Sequence, residues 1–185
     1  KRVTAGDSVN ISKNFSVEFI RVNHSISDAV GMAIKTPVGT IVHTGDFKID
    51  TTPIDGGMID LARFAELGKE GVLCMMADST NAERPGYTQS EKTVGESFEK
   101  LFAKGEGKRI IIATFSSNIH RIQQIIDNAS RYGRKVAVFG RSMINVITTA
   151  IEIGYLNVPK GVLIDIDMMS RYDASEIVLI TTGSQ

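Results

Sequence analysis

Cysteine and tryptophan are almost missing from this sequence. Its 185 residues include one cysteine, Cys74, and no tryptophan. A single cysteine excludes a disulfide framework within the chain, which fits a reducing compartment. Cys74 lies in the apolar run GVLCMM, so we predict a buried thiol rather than a metal ligand or a nucleophile.

Long apolar runs are missing as well. No segment approaches the roughly 20 apolar residues that span a bilayer, and no signal peptide opens the sequence. We therefore predict a cytoplasmic protein with no membrane partner. Because the sequence starts at Lys1 rather than at Met, we expect it to be a piece of something longer.

Net charge is zero, since 21 Lys and Arg balance 21 Asp and Glu. No global basic field therefore argues for a nucleic-acid partner. The charge is uneven, however, because residues 100–141 hold nine Lys or Arg and two Asp or Glu. This segment is a candidate phosphate-facing surface, although charge alone favours the simpler interpretation that these residues solvate helix faces. Aromatic residues make up only 6%, so stacking on nucleobases is poorly supported.

Hydrophobic residues, in contrast, make up 42% of the sequence, which is enough for a core in one or two domains. In the first half, alternation and turn residues predict antiparallel strands, followed by an amphipathic helix and a short apolar strand. The antiparallel strands are predicted at residues 15–22, 29–36 and 40–45, the helix at 58–69 and the apolar strand at 71–76.

From residue 84 onward, strands alternate with helices, which predicts right-handed crossovers and a parallel sheet. A capping-box sequence from Thr88 to Glu91 opens the first helix. Its predicted buried side chains are Val94, Phe98, Leu101 and Phe102. The later strands are predicted at 109–115, 135–139, 161–165 and 176–182, and the later helices at 118–130 and 143–153.

Imidazole and carboxylate groups near the strand ends of the first half form a candidate metal site. His24 lies where an extended run ends, Asp46 ends the strand after the hairpin, and Asp78 follows the apolar strand. If the strands pair as predicted, His24 and Asp46 share one edge of a sheet, where they suit Zn²⁺ or a similar cation. The simpler alternatives are a hydrogen bond from His24 to Asp46 or Asp28 and a turn cap at Asp78. His43 is expected to bond to a backbone group.

A second candidate site, for an anion, follows the strand predicted at 109–115. Small polar residues there lead into a helix, where backbone N–H groups and the helix dipole favour negative charge. Arg121, one turn into the helix, is expected to add a charge-assisted bond. Polar turns at 139–143 and 181–185 are predicted at the same sheet edge, where ligands of open parallel sheets bind. The residues of the first turn are Ser116, Ser117 and Asn118.

Six motifs, in order, resemble the bacterial ribonuclease J family, a β-CASP branch of the metallo-β-lactamase superfamily. The motifs are VNHSISDAVGMAI, TPVGTIVHTGDFKIDTTPIDG, ADSTNAERPGYTQSE, ATFSSNIHRIQQIID, GRKVAVFGRSM and TTGSQ. The resemblance implies an α/β protein: part of a metallo-β-lactamase αββα sandwich, followed by a β-CASP domain with a mainly parallel sheet flanked by helices. Residues 1–83 are then expected in the incomplete core and residues 84–185 in an incomplete β-CASP domain.

The resemblance also implies an activity, a metal and partners. The family degrades or matures RNA as a 5′→3′ exonuclease and endonuclease with two Zn²⁺ ions, or with Mn²⁺ or Mg²⁺, and a homodimer or homotetramer is expected for the parent. His24 matches a metal ligand, Asp46 the carboxylate that bridges both metals, and Asp78 the acidic β-CASP motif, so both aspartates are expected to be catalytic. The residues matching the region that holds the 5′-terminal phosphate of RNA are Ser116, Ser117 and Asn118.

The sequence departs from the family pattern in two places. The HxHxDH metal motif is absent, and so are two β-CASP histidines that would follow TTGSQ. Since tetrahedral Zn²⁺ takes about four donors, we predict that this fragment is inactive and metal-free or weakly metallated, whereas its parent is the hydrolase. Two alternatives remain open: another β-CASP endonuclease of RNA 3′-end or tRNA processing, and a non-catalytic phosphate- or nucleotide-binding domain.

Overall fold

The computed structural model describes residues 2–54 and 56–183, which form two compact units. Unit 1 comprises Lys1–Ser90 and unit 2 comprises Glu91–Gln185. Both units combine a sheet with helices, which confirms the mixed α/β class predicted from the sequence. The expected assignment of residues 1–83 and 84–185 to two named domains stays a prediction.

Unit 1 is built on a five-stranded sheet in which spatial order follows chain order. The first four strands are antiparallel to their neighbours, and the fifth runs parallel to the fourth. The predicted hairpin is confirmed, because the turn after residue 36 joins two paired strands. The strands are β1 (Ser8–Ser12), β2 (Phe15–Arg21), β3 (Val30–Thr36), β4 (Gly39–His43) and β5 (Cys74–Met76).

Helix α1 (Leu61–Glu70) packs on this sheet and confirms the helix predicted between the strands. Its N-cap is Asp60, whose side chain accepts the Arg63 N–H at 3.0 Å. Among the described residues, unit 1 therefore has one sheet and one helix over it, and the expected sandwich continues to rest on the resemblance. The core between them consists of Ile20, Ala33, Val42 and Leu67, with Phe64 and Val72 packed alongside.

The thiol predicted to be buried is exposed. Cys74 is accessible, and its neighbours Met75 and Met76 are 61% and 52% exposed. The physical reason is the place of β5 at the edge of the sheet, where it pairs only with β4. An apolar run predicts burial from composition, but it does not reveal that its strand has a neighbour on one side only.

Unit 2 is built on a four-stranded, wholly parallel sheet, which confirms the predicted parallel arrangement. The spatial order is β6-β9-β7-β8, so the last strand in sequence lies between the first and the second of this unit. The elements are α2 (Glu91–Lys104), β6 (Ile110–Ala113), α3 (Ile119–Arg131), β7 (Lys135–Phe139), α4 (Arg141–Glu152), β8 (Leu163–Ile164) and β9 (Ile177–Thr181). Two short 3₁₀ helices, Ile166–Arg171 and Ala174–Glu176, connect β8 to β9.

The core of unit 2 forms between this sheet and the helices. Val178 and Ile180 of β9 and Val136 of β7 belong to one apolar cluster, and Val178 and Ile180 are each 0% exposed. Burial on this scale stabilises each large side chain by about 1.5–3 kcal/mol relative to exposure. The helix residues of the cluster include Phe98, Phe102, Ile122, Ile125, Ile126, Met143 and Ile147.

Two details of α2 differ from the prediction. The helix begins at Glu91, so Glu91 occupies its first position rather than the third position expected from a cap at Thr88. Leu101, predicted to be buried, is 58% exposed, whereas Phe98 and Phe102 are buried as predicted. Burial on α2 is thus confined to a narrower stripe than its apolar residues indicate.

Within the described ranges, no helix is long and apolar enough to cross a bilayer.

Candidate functional site

His24 and Asp46 meet at one edge of the sheet of unit 1, as their positions after β2 and β4 predict. The His24 Nε2 and Asp46 Oδ2 atoms are 3.9 Å apart. This distance exceeds that of a hydrogen bond, so the two groups are neighbours without being bonded. Their side chains are 36% and 78% exposed, which leaves both accessible to an ion or a substrate.

The turn between β4 and Asp46 is fixed by backbone interactions. Gly45 has φ +63°, and a Cβ atom there would lie 2.8 Å from the Val30 carbonyl oxygen. The Gly45 N–H donates to His43 Nδ1 at 2.9 Å, which confirms that His43 bonds to a backbone group. Only glycine combines this conformation with this close approach, so the turn holds Asp46 at a defined place.

Asp78 lies on the neighbouring segment, after β5, and its carboxylate is ionised at neutral pH. Hydrogen bonds from the Thr80 hydroxyl and N–H hold the pKa of Asp78 below its usual range, although desolvation opposes them. The Phe47 N–H and the positive potential of the nearby His24 act in the same direction. The predicted turn cap at Asp78 is therefore present, and the Asp78 carboxylate also lies near His24 of the first site.

The described residues of this site supply part of the donor set that the expected metal needs. His24 and Asp46 supply an imidazole and a carboxylate, two of the roughly four donors that Zn²⁺ takes. In the described ranges, no group of three or more His, Cys, Asp or Glu side chains is arranged to hold a metal ion. The donor types fit one part of a metal centre, which the described residues alone do not complete.

The second candidate site lies at the carboxyl ends of the strands of unit 2. The Ser116 hydroxyl, after β6, and the Ser142 hydroxyl, in the first turn of α4, are 3.3 Å apart. At the neighbouring turn, a Cβ on Gly140 would lie 3.7 Å from the Thr182 hydroxyl oxygen. The described parts of the polar turns after β6, β7 and β9 are therefore adjacent at one edge, as the sequence predicts, whereas Ser184 and Gln185 of the last turn lie outside the described residues. Ser117 is exposed beside these turns.

Two side chains near this edge have other partners. Asn118 is 2% exposed, and its Oδ1 atom accepts the Arg121 N–H at 3.1 Å as the N-cap of α3. The Nη2 atom of Arg121 binds both oxygens of Glu91, at 2.8 and 3.0 Å, so this cation is engaged by a carboxylate of α2, and its expected anion contact stays a prediction. The sequence does not reveal whether an N-cap residue or a cation contacts a ligand or a neighbouring helix.

Much of the basic segment is also engaged within unit 2. Arg134 is 6% exposed and donates to the carbonyls of Gly105 and Lys108, while Arg131 pairs with Glu99. Arg141, in contrast, is exposed at the start of α4, beside Ser142. The alternative that these cations solvate helix faces is therefore wrong for the buried Arg134, and Arg141 is an exposed cation at the polar edge.

Two residues at these sites were missed by the sequence reasoning. The sequence predicts Ser142 only as part of the polar turn at 139–143, and its contact with Ser116 depends on the strand order, which the sequence does not predict. Thr44 is buried beside the first site, where its hydroxyl contacts Gly45 and Asp78. The one available signal was a hydroxyl residue immediately before the Gly-Asp turn.

Comparison with known proteins supplies the family. Residues 107–185 match the family profile of the ribonuclease J β-CASP domain. Ribonuclease J 1 of Streptococcus pyogenes is 52% identical over 94% of this chain and 30% of its own length. Ribonuclease J of Thermus thermophilus is 45% identical over 100% of this chain and 32% of its own. Ribonuclease J2 of Bacillus subtilis is 44% identical over 96% and 32%. The chain thus spans about a third of the length of these relatives.

A solved structure supports the fold independently. A crystal structure from Enterococcus faecalis, titled as a protein of unknown function, aligns with a TM-score of 0.64 over 99% of this chain and 44% of its own. Its sequence identity is 17%, so this likeness concerns the fold alone. The family profile and the relatives confirm what the six motifs indicated: the chain is a section of a protein of the ribonuclease J family, and its residues 107–185 match the β-CASP domain of that family.

Proposed function

We propose that this chain is a section of a metal-dependent ribonuclease that cleaves RNA phosphodiester bonds, with the 5′→3′ exonuclease and endonuclease activities expected from the family. The observation that carries the proposal is the approach of His24 to Asp46 within a chain 44–52% identical to ribonucleases J. An imidazole and a carboxylate at one accessible edge are the donor types of hydrolytic metal sites.

In this proposal His24 and Asp46 are two ligands of a metal pair, with Zn²⁺ as the first candidate and Mn²⁺ or Mg²⁺ as alternatives. When bound, the metal would polarise the scissile phosphate and activate a water molecule. The turn at Gly45 would hold the Asp46 carboxylate in place, and the Asp78 carboxylate on the neighbouring segment would remain ionised. Because two donors do not complete such a site, we propose that residues 1–185 alone are inactive.

The polar edge of unit 2 is the proposed site for the 5′-terminal phosphate of RNA. Ser116 and Ser142 offer two adjacent hydroxyls, and the N-cap of α4 is Gly140, which provides no side-chain cap. Its first N–H groups and the exposed Arg141 favour an anion. Asn118 contributes indirectly, by holding the start of α3. Cytoplasmic location and a homodimer or homotetramer stay predictions.

The cleavage experiment uses the full-length protein that carries this sequence and 5′-monophosphorylated RNA. We expect cleavage that is lost on chelation and restored by Zn²⁺ or Mn²⁺, and a drop of at least 100-fold in kcat for Asp46→Asn. The matched control is Asp127→Asn, which removes an exposed carboxylate on α3 and should leave kcat unchanged. Cleavage that survives chelation would refute the metal, and cleavage by residues 1–185 alone would refute the inactivity of the fragment.

The phosphate site is tested with the same RNA carrying a 5′ monophosphate or a 5′ hydroxyl. Ser116→Ala and Ser142→Ala should each weaken the preference for the monophosphate by about 3–10-fold, since each removes one hydrogen bond to the anion. Ser97→Ala on α2, whose hydroxyl donates to the Thr93 carbonyl, is the control. An unchanged preference in both site variants would remove this assignment.

A further inference from the structure

We propose that Thr44 is a positioning residue that sets the carboxylates of Asp46 and Asp78 relative to each other. The role of those carboxylates rests on the proposed function, but the positioning itself rests on contacts within unit 1. Thr44 directly follows β4 and is 4% exposed, so its hydroxyl depends on protein partners.

The Thr44 hydroxyl uses both of its hydrogen-bonding capacities. It donates to the carbonyl oxygen of Gly45 at 2.7 Å and accepts the Asp78 N–H at 3.0 Å. One contact therefore fixes the peptide unit that leads into Asp46, and the other fixes the backbone of Asp78. A single oxygen atom joins the two acidic segments.

Two more hydrogen bonds connect the same segments on either side of Asp46. The Thr44 N–H donates to the Met76 carbonyl at 3.0 Å, which extends the pairing of β4 with β5. The Phe47 N–H donates to Asp78 Oδ2 at 3.4 Å. Asp46 thus lies in a short segment whose two ends are both bonded to residues 76–78, and the Thr44 hydroxyl also contacts the peptide that precedes Asp46.

A methyl group in place of the hydroxyl would fill the same space without these bonds. The Asp78 N–H would then lose its partner at a partly buried position, next to the buried Thr44, and an N–H without a partner is costly there. The segment after β5 would have to move toward water to satisfy it. Asp78 would therefore shift relative to Asp46, although valine preserves the shape of threonine.

The first experiment measures amide hydrogen exchange in the 185-residue chain. In Thr44→Val we expect exchange of the Asp78 amide at least about 10-fold faster, and in Thr44→Ser within about 2-fold of the original rate, because serine keeps the hydroxyl. The matched control is Thr36→Val, which removes the hydroxyl bonded to the Gly39 carbonyl at 2.7 Å and should leave the Asp78 amide unchanged.

The proposal is overturned if the Asp78 amide exchanges at the original rate in Thr44→Val. It is also overturned if Thr44→Ser exchanges 10-fold faster than the original chain, a result that is informative even if the valine variant fails to fold.

The second experiment uses the full-length protein and separates positioning from general destabilisation. We expect kcat for RNA cleavage to fall about 10–100-fold in Thr44→Val with KM within about 3-fold, and Thr44→Ser to restore kcat. A merely structural role would lower the fraction of folded enzyme and leave kcat per folded molecule unchanged, which would overturn the positioning role in catalysis. If the full-length protein does not cleave RNA at all, the proposed function fails, while the exchange experiment still decides on the role of Thr44.

Discussion

Arg63 and Glu18 join α1 to β2 through two parallel hydrogen bonds. Arg63 Nε and Nη2 donate to the two Glu18 carboxylate oxygens at 2.6 and 2.9 Å, and the side chains are 21% and 18% exposed. The hydrogen bonds from Arg63 hold the pKa of Glu18 below its usual range, although desolvation opposes them. This pair locks the helix over the sheet that carries His24 and Asp46.

Unit 1 is expected to lose stability at acid pH through Glu18. A depressed pKa in the folded state contributes stability that is present above the unfolded pKa near 4.5 and is lost as pH falls through the folded value. Urea unfolding between pH 7 and pH 3 measures the effect. Glu18→Gln should cost about 2 kcal/mol at pH 7 and flatten this dependence of stability on pH.

The control Glu66→Gln removes a partner of Arg63 that is 62% exposed and should cost under about 0.5 kcal/mol. An unchanged pH dependence in Glu18→Gln would contradict the assignment.

Gly45→Ala is expected to destabilise unit 1 by about 2–3 kcal/mol. The new Cβ would combine a left-handed backbone with a contact of 2.8 Å to the Val30 carbonyl oxygen. Gly68→Ala, inside α1 with nothing near its Cβ position, should stabilise instead by about 0.5–1 kcal/mol. Chemical denaturation of both variants checks the prediction, and equal stabilities would refute the steric argument.

Asn118→Ala is expected to weaken α3 by about 1–2 kcal/mol, since it removes the N-cap acceptor of a buried helix start. Asn118→Asp keeps that acceptor and should stay within about 0.5 kcal/mol of the original. Thermal unfolding followed by circular dichroism distinguishes them. If Asn118→Asp is as unstable as Asn118→Ala, capping is not what this side chain contributes.

Arg134→Met is expected to cost about 2–4 kcal/mol. It leaves the carbonyls of Gly105 and Lys108, bonded at 2.7 and 2.8 Å, without their buried donor. Arg131→Met removes a cation that is 62% exposed and should cost under about 1 kcal/mol. Urea midpoints of the two variants provide the measurement. If both variants lose a similarly small amount of stability, the two hydrogen bonds of Arg134 to backbone carbonyls do not stabilise the fold.

The strands and helices were largely predictable because their side-chain periodicity is local. The strand at residues 135–139, for instance, has the predicted bounds. The strand order of unit 2 was not predictable, because nothing local indicates that β9 lies between β6 and β7. The same limit explains Cys74, whose exposure depends on β5 lying at an edge.

The candidate sites were likewise predictable where they depend on local sequence, and not where they depend on contacts between distant residues. His24 and Asp46 were placed together because both follow strands of one meander. The ion pair of Arg121 with Glu91 was not predicted, because the two residues are 30 positions apart in sequence. Spacing along one helix gives no information on such a partner. The role of Thr44 was hidden for a similar reason, since its contact with Asp78 spans 34 residues.

The central place of β9 has a consequence for synthesis on the ribosome. Residues 177–181 are translated after every other strand of their sheet, yet both β6 and β7 pair with them. Until that segment leaves the exit tunnel, the edges of β6 and β7 stay open and their apolar side chains lack a partner. The pairing at the centre of this sheet is therefore completed only when the last of its described strands has been synthesised.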